Sequence, residues 1–252
     1  MNILLTRPLL QVSVLQSMVN DNGHLSILFP TLEIKALNAI PLHQQYNAVI
    51  FISANAVEYG IMILEKLNLQ HCQIFAVGAA TANRIIHHGF KVDAYPSLKA
   101  SSEALLSLNE VQQLQNQNIL IFRGKGGRET LKEGLEKRNN QVEYVEVYER
   151  VECKATQLHK DSLLKLSKNQ DFITTITSIE SLSAMVNLIR KIDGNFLNKL
   201  LKTPLIVLSE RIGVFAKSVG FLRIYVALEA NDSAIVEKIQ QIKLAKYNTL
   251  DK

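Results

Sequence analysis

Tryptophan is absent from this chain of 252 residues, and aromatic side chains of all kinds make up only 6% of it. A face that stacks nucleic-acid bases on aromatic rings is therefore excluded as a main activity. Cysteine is nearly as scarce. Cys72 and Cys153 form no CxxC pair and no metal-spaced set with histidine, so both are expected to be reduced structural thiols of a cytoplasmic protein. The six histidines form no HExxH pattern and face no Glu partner at ligand spacing, so no metal is expected. No apolar run approaches the roughly 20 residues that cross a membrane. The chain opens directly on a strand-like run, Asn2–Thr6, with no basic segment, apolar core and cleavage site before it; the expectation is a cytoplasmic protein without signal peptide or membrane partner. The net charge of +5 is moderate and suits an anionic small molecule or plain solubility as well as it suits nucleic acid.

What is present is a sequence written twice. Asn2–Arg7 (NILLTR) returns as Asn118–Arg123 (NILIFR), an offset of 116 from Arg7 to Arg123. Val49–Ser53 (VIFIS) returns as Thr174–Ser178 (TTITS), and Phe75–Phe90 is echoed by Val207–Phe221, with Gly89 and Gly220 as anchors. A long unit occurring twice predicts two similar lobes, and two lobes predict a cleft in which function is to be sought.

Between these landmarks β-rich runs alternate with helical periodicity. Strands are expected at Asn2–Thr6, Ser26–Phe29, Val49–Ile52, Ile74–Val77, Val92–Tyr95, Ile119–Phe122, Val142–Val147, Phe172–Ile176, Pro204–Leu208 and Arg223–Val226. Helices are expected around Val12–Val19 and over Asn55–Lys66, Thr81–His88, Ser102–Gln115, Glu129–Arg138, Glu180–Lys191, Arg211–Val219 and Ser233–Lys243. Continuous apolar runs such as Ile3–Leu5 mark strands covered on both faces, and βαβ alternation favours parallel sheets flanked by helices, an α/β fold. The more polar stretches 37–45 and 150–158 read as linkers between lobes, and the tail Lys246–Lys252 as frayed.

In such sheets ligands bind beyond the carboxyl ends of strands, where helix N-termini offer N–H donors. Short polar or small residues recur there: Thr6-Arg7-Pro8, Ser53-Ala54-Asn55, Gly78-Ala79-Ala80-Thr81, Arg123-Gly124-Lys125-Gly126-Gly127-Arg128, Thr177-Ser178 and Ser209-Glu210-Arg211. Facing one cleft, they would make a donor-rich wall for carboxylates. RGKGGR is the densest. It has no Ser or Thr after its lysine, so it is not a P-loop; anion contact is favoured over a solvated glycine-rich turn. The run from Gly78 has the outline of a dinucleotide site, but Ala80 replaces its second glycine and no nicotinamide cofactor is expected. Thr81 reads equally as an N-cap or a ligand contact. Tyr148 has a hydroxyl that can give a proton to a leaving group, although composition alone favours a packing role.

With these motifs placed, the chain resembles the uroporphyrinogen-III synthase family over essentially its full length. NILLTRP, FISANAV (Phe51–Val57), VGAATANRIIHHG (Val77–Gly89), the helix start at Ser101–Leu105 and the stretch Asn118–Val151 carry the resemblance, together with TITS (Thr175–Ser178), LSERIGVFAKSVGF (Leu208–Phe221) and Ala230–Asp232. It implies two α/β lobes joined by a two-stranded linker, with residues 1–36 packing with 159–252 and residues 46–149 forming the other lobe. It implies an enzyme that closes hydroxymethylbilane into uroporphyrinogen III, inverting ring D and losing water, without cofactor or metal. Substrate contacts would come from Arg7, Ser53, Asn55, Gly78, Thr81, Arg123, Gly124, Gly127, Arg128, Ser178 and Ser209, and Tyr148 matches the family tyrosine suspected as an acid. Where some members carry a second-lobe threonine this chain has Ile212, and Ser209 replaces the preceding glycine. A monomer is expected, with transient contact to hydroxymethylbilane synthase. The alternative is a non-catalytic two-lobed binding protein for a small anionic metabolite.

Overall fold

The computed structural model describes residues 1–168 and 171–250, the last five of these by backbone alone. In chain order the elements begin with β1 (Asn2–Leu5), α1 (Ser13–Asp21), β2 (Leu25–Leu28), β3 (Leu32–Ala36), β4 (Ala48–Phe51), α2 (Ala54–Leu64), β5 (Gln73–Ala76) and α3 (Ala79–His87). Then follow α4 (Ser102–Leu106), α5 (Asn109–Gln112), β6 (Asn118–Gly124), α6 (Thr130–Glu136) and β7 (Gln141–Glu152). The chain continues with α7 (Gln157–Lys168), β8 (Phe172–Ile176), α8 (Ile179–Leu200), β9 (Pro204–Val207), α9 (Glu210–Val219), β10 (Arg223–Val226) and α10 (Asp232–Leu250). They form two compact units, Met1–Glu33 with Val151–Lys252, and Ile34–Arg150.

The first unit holds a five-stranded parallel sheet in the order β10-β9-β8-β1-β2. One face packs Phe29, Leu163, Met185 and Leu205 under α7, α8 and α9; the other packs Leu15, Val19, Ile235 and Ile239 under α1 and α10. The second unit has the order β3-β7-β6-β4-β5. Its last four strands are parallel. α2 and α3 cover one face, where the rings of Phe51 and Phe122 stack with centroids 4.6 Å apart. Leu105, Val111, Leu131 and Leu135 bring α4, α5 and α6 onto the other.

The sequence repeat has a topological meaning. NILLTR and NILIFR are β1 and β6, VIFIS and TTITS end β4 and β8, and the glycine-anchored pair spans β5-α3 and β9-α9. Reading β2-β1-β8-β9 in one unit against β7-β6-β4-β5 in the other, each strand has the same neighbours as its sequence counterpart. The counterpart of β10 is reduced to a single parallel bridge between Phe75 and Ala94. That corrects the expected strand Val92–Tyr95: one bridged residue is not a ladder.

Three further expectations are corrected. The helix expected over Ser102–Gln115 is two short helices. Ser107 Oγ donates to the Ala104 carbonyl at 2.7 Å, and Leu108 turns extended as the next N-cap. β3 lies in a stretch given no strand; it follows Pro30 and sits at the edge beside β7. The segment 150–158 holds the end of β7 and the first turn of α7. α7 opens with a capping box in which His159 stands where Glu or Gln is usual. Its Nδ1 accepts from the Thr156 amide at 3.1 Å, while Nε2 meets the Pro30 carbonyl at 2.8 Å. The carbonyl can only accept, so Nε2 carries the proton. The frayed tail is also corrected in part: Lys246–Leu250 continue α10, and Asp251 and Lys252 lie outside the described residues.

Candidate active site

The expected site residues fall into two sets, one in each unit. In the first unit Arg7 follows β1 and pairs with Asp232, the first residue of α10, at 2.5 Å. Ser178 caps α8, its hydroxyl accepting from the Ser181 amide at 3.0 Å. Ser209 caps α9 through its extended backbone without a side-chain bond. Ile212 is buried in the core.

In the second unit Ser53, Gly124 and Tyr148 come together. Ser53 ends β4 and caps α2, its Oγ accepting from the Ala56 amide at 3.0 Å. The same Oγ lies 3.1 Å from Tyr148 Oη. Asn55 sits one residue into α2. The position of Tyr148 depends on a bulge. Through Arg123↔Glu146 the β6–β7 register advances one for one; the next pair is Gly124↔Tyr148, so Val147 is an extra residue on β7. Strict alternation would put Tyr148 on the face of Tyr144, against α6. The extra residue turns it to the α2 face instead, where it packs with Val145, Val147 and the ring of Tyr59. This is how a bulge re-aims a side chain. Gly124 makes room for the result: a Cβ there would lie 2.5 Å from Cζ and 2.9 Å from Oη of Tyr148. The Tyr148 residue is 3% exposed.

Gly78 is the N-cap of α3, pressed against Ala100, and the first turn of α3 has neither a side-chain cap nor an acidic residue. Thr81 is therefore the third residue of the helix and not its N-cap, which removes one of its two readings. It is buried and, among the described residues, its side chain has no hydrogen-bond partner.

The RGKGGR turn differs most from expectation. Arg123 is 2% exposed. Its guanidinium bonds Glu129 at 3.0 Å, the Gly124 carbonyl at 3.2 Å and the Gly126 carbonyl, and lies 4.1 Å from the centre of the Tyr144 ring. Lys125 pairs with Glu149 at 3.3 Å and Arg128 with Glu103 at 3.0 Å. Two backbone donors are also taken, the Lys125 amide by the Tyr148 carbonyl at 2.7 Å and the Gly126 amide by Glu146 at 3.1 Å. Gly127, at φ +110°, closes over Arg123. Every cation of the turn has a carboxylate partner; the Arg123 pair is buried on the arginine side, whereas the Lys125 and Arg128 pairs are exposed and weakly held.

One residue escaped sequence reasoning. Arg150 opens the stretch that reads as a linker, yet its Nη2 lies 3.5 Å from Tyr148 Oη and its guanidinium carbon 5.5 Å from the centre of that ring. The alternation of β7 beyond the bulge places 148 and 150 on one face, a signal invisible until the bulge is known. The thiols offer no chemistry: burial first, and a nearby carboxylate second, pushes Cys72 and Cys153 up to about 11. Among the described residues no three His, Cys, Asp or Glu side chains group as metal ligands, and no helix is long and apolar enough to cross a membrane.

Two parallel-sheet α/β units related by a sequence repeat, with the Tyr148 hydroxyl beside the serine cap of α2 at a strand end, define the class of fold. Comparison with known proteins makes this specific. The family model described as uroporphyrinogen-III synthase HemD matches residues 13–237, and the chain belongs to that family. Uroporphyrinogen-III synthase of Escherichia coli K12 is 28% identical over 250 residues, covering 95% of this chain and all of that protein. That of Salmonella typhimurium LT2 is 29% identical over 252 residues, with the same shares. Among solved structures, uroporphyrinogen-III synthetase of Helicobacter pylori 26695 superposes with a TM-score of 0.64 at 18% identity, covering 96% of this chain and 99% of that one. A mutant uroporphyrinogen III synthase of the extreme thermophile Thermus thermophilus gives 0.56 at 13% identity, covering 97% and 99%. These two likenesses bear on the fold alone.

Proposed function

We propose that this chain closes hydroxymethylbilane into uroporphyrinogen III, inverting ring D and releasing water, and so acts as a lyase of tetrapyrrole biosynthesis. The observation that carries the reading is the family match over residues 13–237. The binding-protein alternative has no support from any relative.

The chemistry asks for two things. The hydroxymethyl C–O bond must break, with a proton delivered to the leaving oxygen so that water departs and an azafulvene remains. The open chain must then be held so that ring D is attacked at its substituted position, giving a spiro intermediate that fragments and closes in the inverted sense. Closure expels a proton from ring D, which restores the acid; the balance is substrate to product plus water. Tyr148 is the proposed acid. Its support is a buried phenol, its hydroxyl 3.1 Å from Ser53 Oγ and its ring seated on Gly124. General acid assistance is worth on the order of 10²-fold or more. Conformational control is the larger task, because the substrate closes unaided to the uninverted isomer.

For substrate contacts we propose Arg7, Ser178 and Ser209 in the first unit and Ser53, Asn55, Gly78, Thr81, Arg123, Gly124, Gly127 and Arg128 in the second, Arg123 also bracing its turn through Glu129. The lobes are proposed as 1–36 with 159–252, and 46–149, the crossings being 37–45 and 150–158. The protein is proposed as a cytoplasmic monomer that meets hydroxymethylbilane synthase transiently. The test is incubation of purified protein with hydroxymethylbilane and separation of the product isomers. Type III is expected; type I alone, at the spontaneous rate, would overturn the reading.

A further inference from the structure

Arginine is the residue best suited to grip a carboxylate, because its guanidinium offers two parallel N–H donors and keeps its charge at every working pH. The second unit, Ile34–Arg150, contains five. Arg84 is paired with Glu58, Arg123 with Glu129 and Arg128 with Glu103. Arg138 is spent on the carbonyls of Val111 and Leu106, at 3.0 and 3.2 Å. Arg150 is the exception. It is exposed, and among the described residues it meets no carboxylate and no carbonyl; its one polar contact is Tyr148 Oη at 3.5 Å.

We infer that Arg150 is a substrate-binding residue, gripping an acetate or propionate carboxylate of the ring whose reacting carbon lies at the Tyr148 hydroxyl. The inference rests on the function proposed above and deepens it by adding an unpaired cation to the contacts proposed there. Three observations converge. The bulge at Val147 that aims Tyr148 also aims residue 150, two positions on along the same face. The three cations of the RGKGGR turn are each held by a glutamate. The contact with Oη is long, and a guanidinium can only donate, so the phenol accepts from Arg150 and keeps its own proton for the substrate. A carboxylate arriving at Arg150 exchanges this weak neutral partner for a charged one, a stronger hydrogen bond than the one given up. The substrate then brings the missing anion and is registered against the acid in the same act.

The test compares wild type, Arg150→Lys and Arg150→Gln in steady-state kinetics with hydroxymethylbilane. It adds competition by uroporphyrinogen III and by an analogue carrying methyl groups in place of the four acetates. A charged hydrogen bond at an exposed site predicts a rise in KM of about 10-fold in Arg150→Gln, with kcat changed much less. Arg150→Lys should recover part of it. The preference of the wild type for the fully carboxylated inhibitor should shrink if an acetate is the partner; if a propionate is, that preference should persist while both inhibitors weaken in Arg150→Gln. An unchanged KM with unchanged inhibitor affinities overturns the inference. So does a fall in kcat at constant KM that vanishes in a Tyr148→Phe background, for then Arg150 acts only through the phenol. In either case wild type still forms the type III isomer and the proposed function stands; if wild type forms none, that reading falls first. Arg150 is exposed, and a matching thermal melt shows that the variants are folded.

Discussion

Gly124→Ala tests the architecture of the site without touching any polar group. The methyl group it adds would sit 2.5 Å from Cζ, 2.6 Å from Cε2 and 2.9 Å from Oη of Tyr148. Carbon atoms settle at about 3.5–4.0 Å, so the ring must retreat by roughly 1 Å. It has little room to do so, being packed against Val145, Val147 and Tyr59, with β6 and β7 paired on either side of the contact. Overpacking of this kind costs about 1–3 kcal/mol of stability. A 1 Å displacement of a catalytic group costs on the order of 10²-fold in rate. The loss of activity should thus exceed what unfolding explains at assay temperature. The experiment pairs urea denaturation with the initial rate of type III formation for wild type, Gly124→Ala, Tyr148→Phe and the double variant. If Gly124 acts by seating the phenol, the two single losses in kcat do not add, and the double variant resembles Tyr148→Phe. Full additivity, or wild-type kcat in Gly124→Ala, would refute the reasoning.

Further outcomes follow from the same contacts. Tyr148→Phe should lose about 10²-fold in kcat with its melting curve retained, since only the hydroxyl bonds to Ser53 and Arg150 are removed; near-wild-type kcat would leave orientation as the whole mechanism. Arg123→Met should lower stability by about 2 kcal/mol, a buried-pair cost discounted because Glu129 is half exposed and can rehydrate; an unchanged urea midpoint with a raised KM would make Arg123 a substrate contact after all. His24 is buried with both ring nitrogens unpartnered among the described residues, and burial first, then Lys243 and the N-terminal amine, holds its pKa below 6.5. The unfolded chain accepts a proton that the fold refuses, so this contribution to stability is full above 6.5 and is lost as pH falls towards the depressed value. His24→Leu should flatten that acid limb in urea midpoints measured from pH 8 to pH 5, and an identical slope in both proteins would refute it.

The α/β class, the duplication and most strands were legible because they rest on local, strong signals. Runs such as Val49–Phe51 and Ile119–Phe122 are apolar throughout because both faces of their sheet are covered. What stayed hidden depended on partners far away in sequence. α7 opens on a capping box that uses His159, whose other nitrogen needs the Pro30 carbonyl, 129 residues earlier. The neutral character of RGKGGR could not be read from six residues when its glutamates stand at 103, 129, 146 and 149. Tyr148 was found through resemblance, but its orientation hangs on one inserted residue in a strand pair, and a slip of one reverses every face. Arg150 was lost for the same reason.

The repeat allows the two units to be compared strand end by strand end. Ser53 and Ser178 are counterparts, and both cap the helix after the central strand with the same 3.0 Å bond. Beyond that bond the two units diverge. In the first, β2 stops at Leu28, and beyond it the amides of Phe29 and Thr31 still donate to the carbonyls of Leu5 and Thr6, at 2.8 and 3.1 Å. The hydroxyls gathered there close on one another: Thr31 meets Ser181 at 2.8 Å, and Thr6 donates to the Thr175 carbonyl at 2.8 Å, all of them buried. That network is satisfied, and a proton taken from it would leave a buried group unpaired. In the second, β7 runs on for 12 residues, bulges at Val147 and presents a phenol whose neighbours are one serine and one unneutralised guanidinium. The corresponding strand end thus holds a closed network of buried hydroxyls in one unit and the Tyr148–Ser53 pair beside Arg150 in the other, and the extra residue Val147 sets the difference.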